Sequence, residues 1–189
     1  MNRVKLKFHE LDNQLLFVFG GLVILCLFFG VTTNSFFSGR NLMNILLQTS
    51  IAVIIAIGET YVIASGAIDL SVGSTAAFSG MITAILIKNA GISPAWAVLG
   101  GILSGVACGL LNSFVVNILG VVPFIATLGT NSIIRGIILV VLDGVPISGM
   151  SSSFTWIGSG RLDGWLPYPV LFMVIICAIM WFILKRSHL

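Results

Sequence analysis

Six long apolar stretches, separated by short polar segments, make up most of this chain of 189 residues. Hydrophobic residues account for 58% of the sequence and charged residues for only 8%, whereas a soluble domain is about 25% charged. A surface with so few charges cannot face water alone, and about 20 apolar residues are enough to cross a bilayer as a helix. The stretches occupy residues 14–32, 44–64, 69–88, 94–117, 121–142 and 168–185.

These stretches predict helices rather than the strands of a membrane barrel, because apolar and polar residues do not alternate along them. The sequence therefore predicts an all-α, polytopic membrane bundle of about six transmembrane helices. The polar segment 1–13 is predicted to be cytoplasmic, and residues 14–189 are predicted to form the transmembrane domain. The first stretch is expected to be a retained helix, because no small-residue cleavage motif of a signal peptide follows it.

Lysine and arginine residues near the predicted helix ends favour an orientation with both chain ends in the cytoplasm. The cytoplasmic side would then carry Arg3, Lys5, Lys7, Lys185 and Arg186, and the outer side Arg40, Lys88 and Arg161. The loop 143–167 would lie outside. It contains Trp156 and Trp165, which are typical of aromatic residues at a membrane interface.

The composition argues against several other classes of function. The three cysteines, Cys26, Cys108 and Cys177, lie singly within apolar stretches and lack the spacing of metal ligands. The two histidines stand near opposite ends of the chain, and no catalytic constellation surrounds them. No basic run is long enough for nucleic acid. We therefore expect no enzyme activity, no metal, no cofactor and no nucleic-acid partner.

Three charged residues, Glu59, Asp69 and Arg135, fall within the predicted membrane segments. An Asp or Arg at the centre of a spanning helix costs about 2.5–3.5 kcal/mol, so such residues usually face the interior of a bundle or a water-filled cavity. They are candidates for the lining of a solute pathway. The alternatives are a structural ion pair or a position near the interface.

In "SGAIDLSVGS", Asp69 stands three residues after a glycine and is followed by many small residues. Asp is a favoured N-cap, and Ser71 could assist at the next turn. The pattern predicts that the chain breaks after Gly66 and restarts as a helix near Asp69. A broken helix in a membrane is tolerated only where it is buried in protein or lines a cavity.

A polar stripe is predicted on the fifth apolar stretch. Thr127, Asn131 and Arg135 follow one another at intervals of four residues, so they share one helix face. Such a stripe suits a pathway for hydroxylated solutes. Hydrogen bonding to a neighbouring helix is the alternative interpretation.

Gly101, Gly105 and Gly109 repeat at the same interval on the fourth stretch. A stripe of small residues allows another helix to approach closely. We therefore interpret these glycines as a helix-packing surface.

Two motifs, "SGAIDLSVGS" at residues 65–74 and "PFIATLGTNSIIRG" at residues 123–136, resemble the permease subunits of ATP-binding-cassette importers for sugars. The branch is the one typified by ribose, xylose, arabinose and galactose permeases. The stretch 41–66 and the string "VPISG" at 145–149 fit the same family in order and spacing.

The resemblance implies a permease of the bacterial inner or plasma membrane. It implies a second permease subunit, cytoplasmic ATP-hydrolysing subunits and an extracytoplasmic sugar-binding protein. It also suggests that the outer loop with Trp156 and Trp165 helps to dock that binding protein. The chain has no phosphate-binding G-x-x-x-x-G-K-[ST] motif, so ATP would be hydrolysed by a partner.

Family permeases are longer than this chain, which stops where a cytoplasmic coupling segment would be expected. The chain therefore reads as an apparently truncated permease. Two alternatives remain: an ATP-independent half-size channel or secondary transporter working as a homo-oligomer, or a non-functional truncated remnant. The sequence does not identify the sugar.

Overall fold

A computed structural model describes residues 2–186 of the chain, and side chains within residues 15–186. The side chains of the predicted cytoplasmic segment 1–13 lie outside the described part. In this part the elements are α1 (Asn2–Thr32), α2 (Gly39–Ala64), α3 (Val72–Lys88), α4 (Pro94–Asn117), α5 (Pro123–Val141), α6 (Ser152–Ser159), β1 (Arg161–Leu162), β2 (Leu166–Pro167) and α7 (Tyr168–Arg186).

The helices confirm the predicted all-α, polytopic membrane fold. Within the described residues, α1, α2, α4, α5 and α7 are long and apolar enough to cross a membrane. The remaining predicted span is the shorter helix α3, whose 17 residues extend about 26 Å. Helix α3 begins at Val72, three residues later than predicted, and α2 begins at Gly39, five residues earlier.

The chain divides into two compact units, residues 1–46 and 47–189. The first contains α1 and the turn after it, where four phenylalanines form ring contacts and the Asn41 side chain donates to the Phe36 carbonyl (2.8 Å). A polar side chain and aromatic contacts thus order this short connection.

The second unit is built on α3, α4 and α5, which pack against one another. Its buried side chains are unusually polar, whereas most large apolar side chains of the spans are exposed. The reversal is expected for a bundle in lipid, where apolar groups gain nothing by leaving the surface and small or polar residues hold the helices together. The buried polar residues are Ser50, Ser71, Ser74, Thr83, Asn112, Thr127 and Thr130.

The predicted loop 143–167 contains more regular structure than expected. It holds the short helix α6 and the antiparallel pair β1–β2. The turn between the strands places Asp163 and Gly164 at positive φ, as a type I′ turn requires. An eight-residue helix is too short to stand out in a sequence dominated by membrane-length apolar runs. At one end of the segment, the Lys88 ammonium donates to the Ser148 carbonyl (2.6 Å).

Candidate functional site

The site begins where α2 ends, at a glycine that reverses the chain. Gly66 has a φ of 83°, which a residue with a side chain seldom adopts. Its N–H donates to the Ile63 carbonyl (2.9 Å). The Ala67 N–H donates to the Val62 carbonyl (3.1 Å). These two bonds form a Schellman motif, which satisfies carbonyls at the end of α2 and turns the chain back.

The reversed chain then passes alongside the last turns of α2. The Asp69 backbone N–H donates to Oε1 of Glu59 (3.2 Å), which lies five residues before the end of that helix. Oε2 of Glu59 is buried and has no hydrogen-bond partner among the described residues. Glu59 therefore holds the connection between α2 and α3 in place, but it is not one of the residues that line the cavity described below.

Asp69 organises the start of α3 through its side chain. Oδ1 accepts hydrogen bonds from the Ser71 backbone N–H (2.7 Å) and from the Ser71 hydroxyl (2.6 Å). The capping arrangement differs from the predicted one, because the helix begins at Val72 and Ser71 occupies the N-cap position. Asp69 thus closes a turn just before the helix, as Asp side chains do when they bind the backbone two residues on.

Asn112, in α4, joins this turn to a second helix. Its Nδ2 donates to the Ser71 hydroxyl oxygen (2.8 Å) and, at 3.4 Å, to Oδ2 of Asp69. Asn112 is 6% exposed and Ser71 is fully buried. Asn112 was not among the residues predicted from the sequence. Like Asn131, it is a polar amide within an otherwise apolar helix, and that pattern could have identified it.

Thr127 joins the connection to α5. Its Oγ1 accepts a hydrogen bond from the Leu70 N–H (3.1 Å) and donates to the Pro123 carbonyl one turn earlier (2.8 Å). Thr127 is 3% exposed. The connection is therefore fixed by hydrogen bonds to three helices, at Glu59 of α2, Asn112 of α4 and Thr127 of α5.

A cavity of about 520 Å³ lies beside this network. It lies where α2 and α4 end and α3 and α5 begin. Asn112 is five residues from the end of α4, which places the network about 7 Å inside the helix ends. Its polar lining residues are Ser65, Asp69, Asn112, Ser113, Asn117 and Thr127.

Arg135 lies apart from this cavity, although it shares α5 with Thr127. It is exposed, and it lines a separate cavity of about 280 Å³ with residues of α3, among them Gly73 and Ala77. No carboxylate of the described residues pairs with it. Asn131, between the two, is half-buried. Thr127 and Arg135 are eight residues apart, which is about 12 Å along the helix. The two ends of the stripe therefore lie beside different cavities.

The three glycines of α4 also differ in their surroundings. An added methyl group at Gly101 would overlap Oγ1 of Thr83 and lie 2.8 Å from the Ser79 carbonyl oxygen. At Gly105 it would lie 2.9 Å from Oγ of Ser79. Nothing lies within 4 Å of such a group at Gly109, which lines the large cavity instead. Within the described part, close contact with α3 therefore involves Gly101 and Gly105.

The two tryptophans of the segment 143–167 are both exposed. Trp156 packs on Tyr168 with 4.7 Å between ring centroids, and Trp165 follows the β1–β2 turn.

Comparison with known proteins assigns the chain to a family. Residues 41–189 match the family model described as branched-chain amino acid transport system / permease component. The chain therefore belongs to this family, and its long apolar helices are those of a multi-pass membrane protein.

Several curated relatives cover most of the chain. It is 40% identical to the D-allose transport system permease of Escherichia coli K12, over 88% of this chain and 51% of the relative. It is 37% identical to the ribose import permease of Bacillus subtilis 168, over 89% and 52% respectively. For the galactofuranose transporter permease of Escherichia coli K12 the identity is 35%, over 78% and 42%.

The chain thus spans about half the length of these relatives. No solved structure shows a significant match to it. The family resemblance inferred from "SGAIDLSVGS" and "PFIATLGTNSIIRG" is confirmed by these relatives.

Proposed function

We propose that this chain is the membrane-embedded permease subunit of an ATP-driven importer of monosaccharides in a bacterial inner membrane. The observation that carries the proposal is its similarity, at 35–40% identity, to permeases named for allose, ribose and galactofuranose. The family description names branched-chain amino acids. The choice between a sugar and an amino acid therefore needs a physical argument.

The lining of the large cavity favours a neutral, hydroxylated solute. Its charged member is Asp69, and no lysine or arginine is among the described residues that line it. The ammonium group of an amino acid could pair with Asp69, but its carboxylate would find no cation among the described lining residues. A sugar brings no charge, and its hydroxyl groups can donate to Asp69 and to the neighbouring amides.

The proposed partners are those that the family resemblance implies. Cytoplasmic ATP-hydrolysing subunits would supply the energy, and this chain itself carries no G-x-x-x-x-G-K-[ST] motif. A second permease subunit would complete the pathway, and an extracytoplasmic sugar-binding protein would deliver the solute. The exposed Trp156 and Trp165 offer a surface for that protein, since aromatic residues are enriched at protein interfaces. We infer that the chain moves its solute without altering it covalently.

The test is uptake by a hybrid permease. This chain would replace the matching half of the Escherichia coli D-allose permease, in a strain that lacks its own copy but keeps the other components of that system. Uptake of radiolabelled allose, ribose, xylose, galactose and leucine would be measured, with an inactive ATPase as the control. We expect ATPase-dependent uptake of one or more of the sugars and none of leucine.

Three outcomes would overturn the proposal. Uptake of leucine in preference to every sugar would assign the chain to amino-acid transport. Sugar flux into liposomes that contain only the 189-residue chain, without ATP, would favour the half-size channel. A hybrid that reaches the membrane in normal amounts and transports nothing would favour the remnant.

A further inference from the structure

The hydrogen bonds around Asn112 fix which way its amide group points. The Ser71 hydroxyl donates its proton to Oδ1 of Asp69 (2.6 Å), so its oxygen is left as an acceptor. Only the NH₂ end of the Asn112 amide can donate to it, at 2.8 Å. The carbonyl end, Oδ1, must therefore point away from Ser71.

That carbonyl oxygen has no donor. Oδ1 of Asn112 is buried and has no hydrogen-bond partner among the described residues. Oδ2 of Asp69 is also underused, because its one described hydrogen bond, from Asn112, is 3.4 Å long. Buried acceptors are normally satisfied, so the unpaired Oδ1 of Asn112, beside the weakly bonded Oδ2 of the half-buried Asp69, calls for a donor from outside the chain.

Three of the chain's own polar groups at or beside this wall already donate hydrogen bonds within the chain. The Thr127 hydroxyl donates to the Pro123 carbonyl (2.8 Å). The Ser71 hydroxyl donates to Asp69 (2.6 Å). The Asn117 amide donates to the Ser113 hydroxyl oxygen (3.0 Å). The hydroxyl protons of Thr127 and Ser71 are therefore not available to a solute, whereas Oδ1 of Asn112 and Oδ2 of Asp69 can accept from one.

We propose that this cavity is a binding site for a polyol, whose hydroxyl groups donate to Oδ2 of Asp69 and Oδ1 of Asn112. The proposal rests on the proposed function, since a monosaccharide is the polyol that such a permease would carry. A volume of about 520 Å³ lies within the range of small-molecule sites. The site adjoins the helix ends that the predicted orientation puts in the cytoplasm, so it would hold the sugar at the exit of its path.

A cation is a poorer match to the same acceptors. Asp69 supplies the only carboxylate among the described lining residues, and its Oδ1 already accepts two hydrogen bonds. Calcium takes six to eight oxygen ligands and magnesium six in a near-octahedral shell. Hydroxyl groups need one acceptor each, which the wall provides.

The site can be tested with a cysteine placed in the cavity. Gly109 lines it and has room for a side chain, so Gly109→Cys is the reporter. The full 189-residue chain would be placed in lipid nanodiscs with its three native cysteines changed to alanine. The rate of alkylation of the reporter would be measured with D-allose, D-ribose, or ribose methylated at every hydroxyl, which keeps acceptors but has no O–H donor.

We expect allose or ribose to slow alkylation and methylated ribose to leave it unchanged. Asn112→Leu should raise the half-protecting sugar concentration about ten-fold, as expected for one lost hydrogen bond. Asn131→Leu is the matched control, because it makes the same side-chain change at a half-buried position of α5 that does not line this cavity. It should change that concentration by less than about two-fold.

Equal protection by methylated ribose would overturn the proposal, and so would protection by sodium or potassium chloride alone. Absence of protection by any sugar would mean that only water fills the cavity. If Asn112→Leu fails to fold, the comparison of free and methylated ribose on the parent chain still decides. The assay needs neither ATP nor partners. Uptake by the hybrid without protection would therefore overturn this site alone, and protection without uptake would overturn the importer alone.

Discussion

Helices α3 and α4 contact each other at both ends, but the two ends of the contact are built differently. At one end the Ser71 hydroxyl and the Asn112 amide form a buried hydrogen bond beside a large cavity. Toward the other end Gly101 and Gly105 lie against Thr83 and Ser79. The first end uses polar side chains and leaves space, and the second uses small residues and leaves none.

The comparison shows that position along a glycine stripe decides what each glycine does. Gly101 and Gly105 permit close approach, while Gly109, one turn further along α4, opens onto the cavity. In lipid, close packing and interhelical hydrogen bonds are the main sources of helix association. Close packing dominates at one end, with one long hydrogen bond between Ser104 and Ser79 (3.5 Å), and buried hydrogen bonds beside the large cavity dominate at the other.

The largest effect is expected from Asp69→Leu. This change removes the acceptor for the Ser71 N–H and hydroxyl and for one bond from Asn112. Unsatisfied buried donors cost about 1–3 kcal/mol each, so we expect the free energy of unfolding in detergent to fall by about 3–5 kcal/mol. Asp69→Asn keeps an acceptor for Ser71 and should cost about 1 kcal/mol. Equal stability of the leucine variant and the parent would show that the polar end does not depend on Asp69.

Gly101→Ala tests the closely packed end. The added methyl group would overlap Oγ1 of Thr83, so we expect a loss of about 1–3 kcal/mol in the free energy of unfolding. The matched change Gly109→Ala meets nothing and gains helix propensity, which predicts an increase of up to about 1 kcal/mol. The same detergent titration measures both. A loss at Gly109 equal to that at Gly101 would contradict the difference between the two ends.

Thr127→Val tests the hydrogen bond that ties α5 to the polar end. The valine keeps the shape of the side chain but leaves the Leu70 N–H without its acceptor. We expect a loss of about 1–2 kcal/mol. Thr130, also buried on α5, accepts no described hydrogen bond from the connection, so Thr130→Val should change stability by less than about 0.5 kcal/mol. Equal losses at both positions would assign the effect to packing.

Arg135→Gln should have the smallest effect on stability. Arg135 is exposed and unpaired among the described residues, so its loss should change the free energy of unfolding by less than about 0.5 kcal/mol. If Arg135 lines the transport path in the assembled permease, uptake by the hybrid should still fall while its amount in the membrane stays constant. A matching loss of abundance and uptake would instead give Arg135 a structural role.

Local chemistry made part of this structure predictable. The apolar runs predicted the helices, and the glycine and the acid in "SGAID" predicted the interruption at residues 65–71. Gly66 does reverse the chain, because only positive φ permits the turn. The predicted start of α3 was three residues too early, because Asp69 closes a turn ahead of the helix rather than occupying its N-cap.

The composition of the site depends on which helices face one another, and no local sequence pattern contains that information. Asn112 is 43 residues from its partner Asp69, and Thr127 is 57 residues from Leu70. The four-residue spacing predicted that Thr127 and Arg135 share one helix face. It could not predict that α3 divides the space beside that face into two cavities. A search for isolated amides in apolar helices would have selected Asn112 without saying what it binds.

The central claim is that the end of α4 beside Asp69 opens onto a hydrated cavity while the middle of α4 is closed by α3. The most direct measurement is the alkylation rate of single cysteines by a charged, water-soluble thiol reagent, with the native cysteines changed to alanine. We expect rapid modification of Gly109→Cys and little or none of Gly105→Cys, whose side chain would lie against Ser79. Equal rates at the two positions, or faster modification of Gly105→Cys, would contradict it.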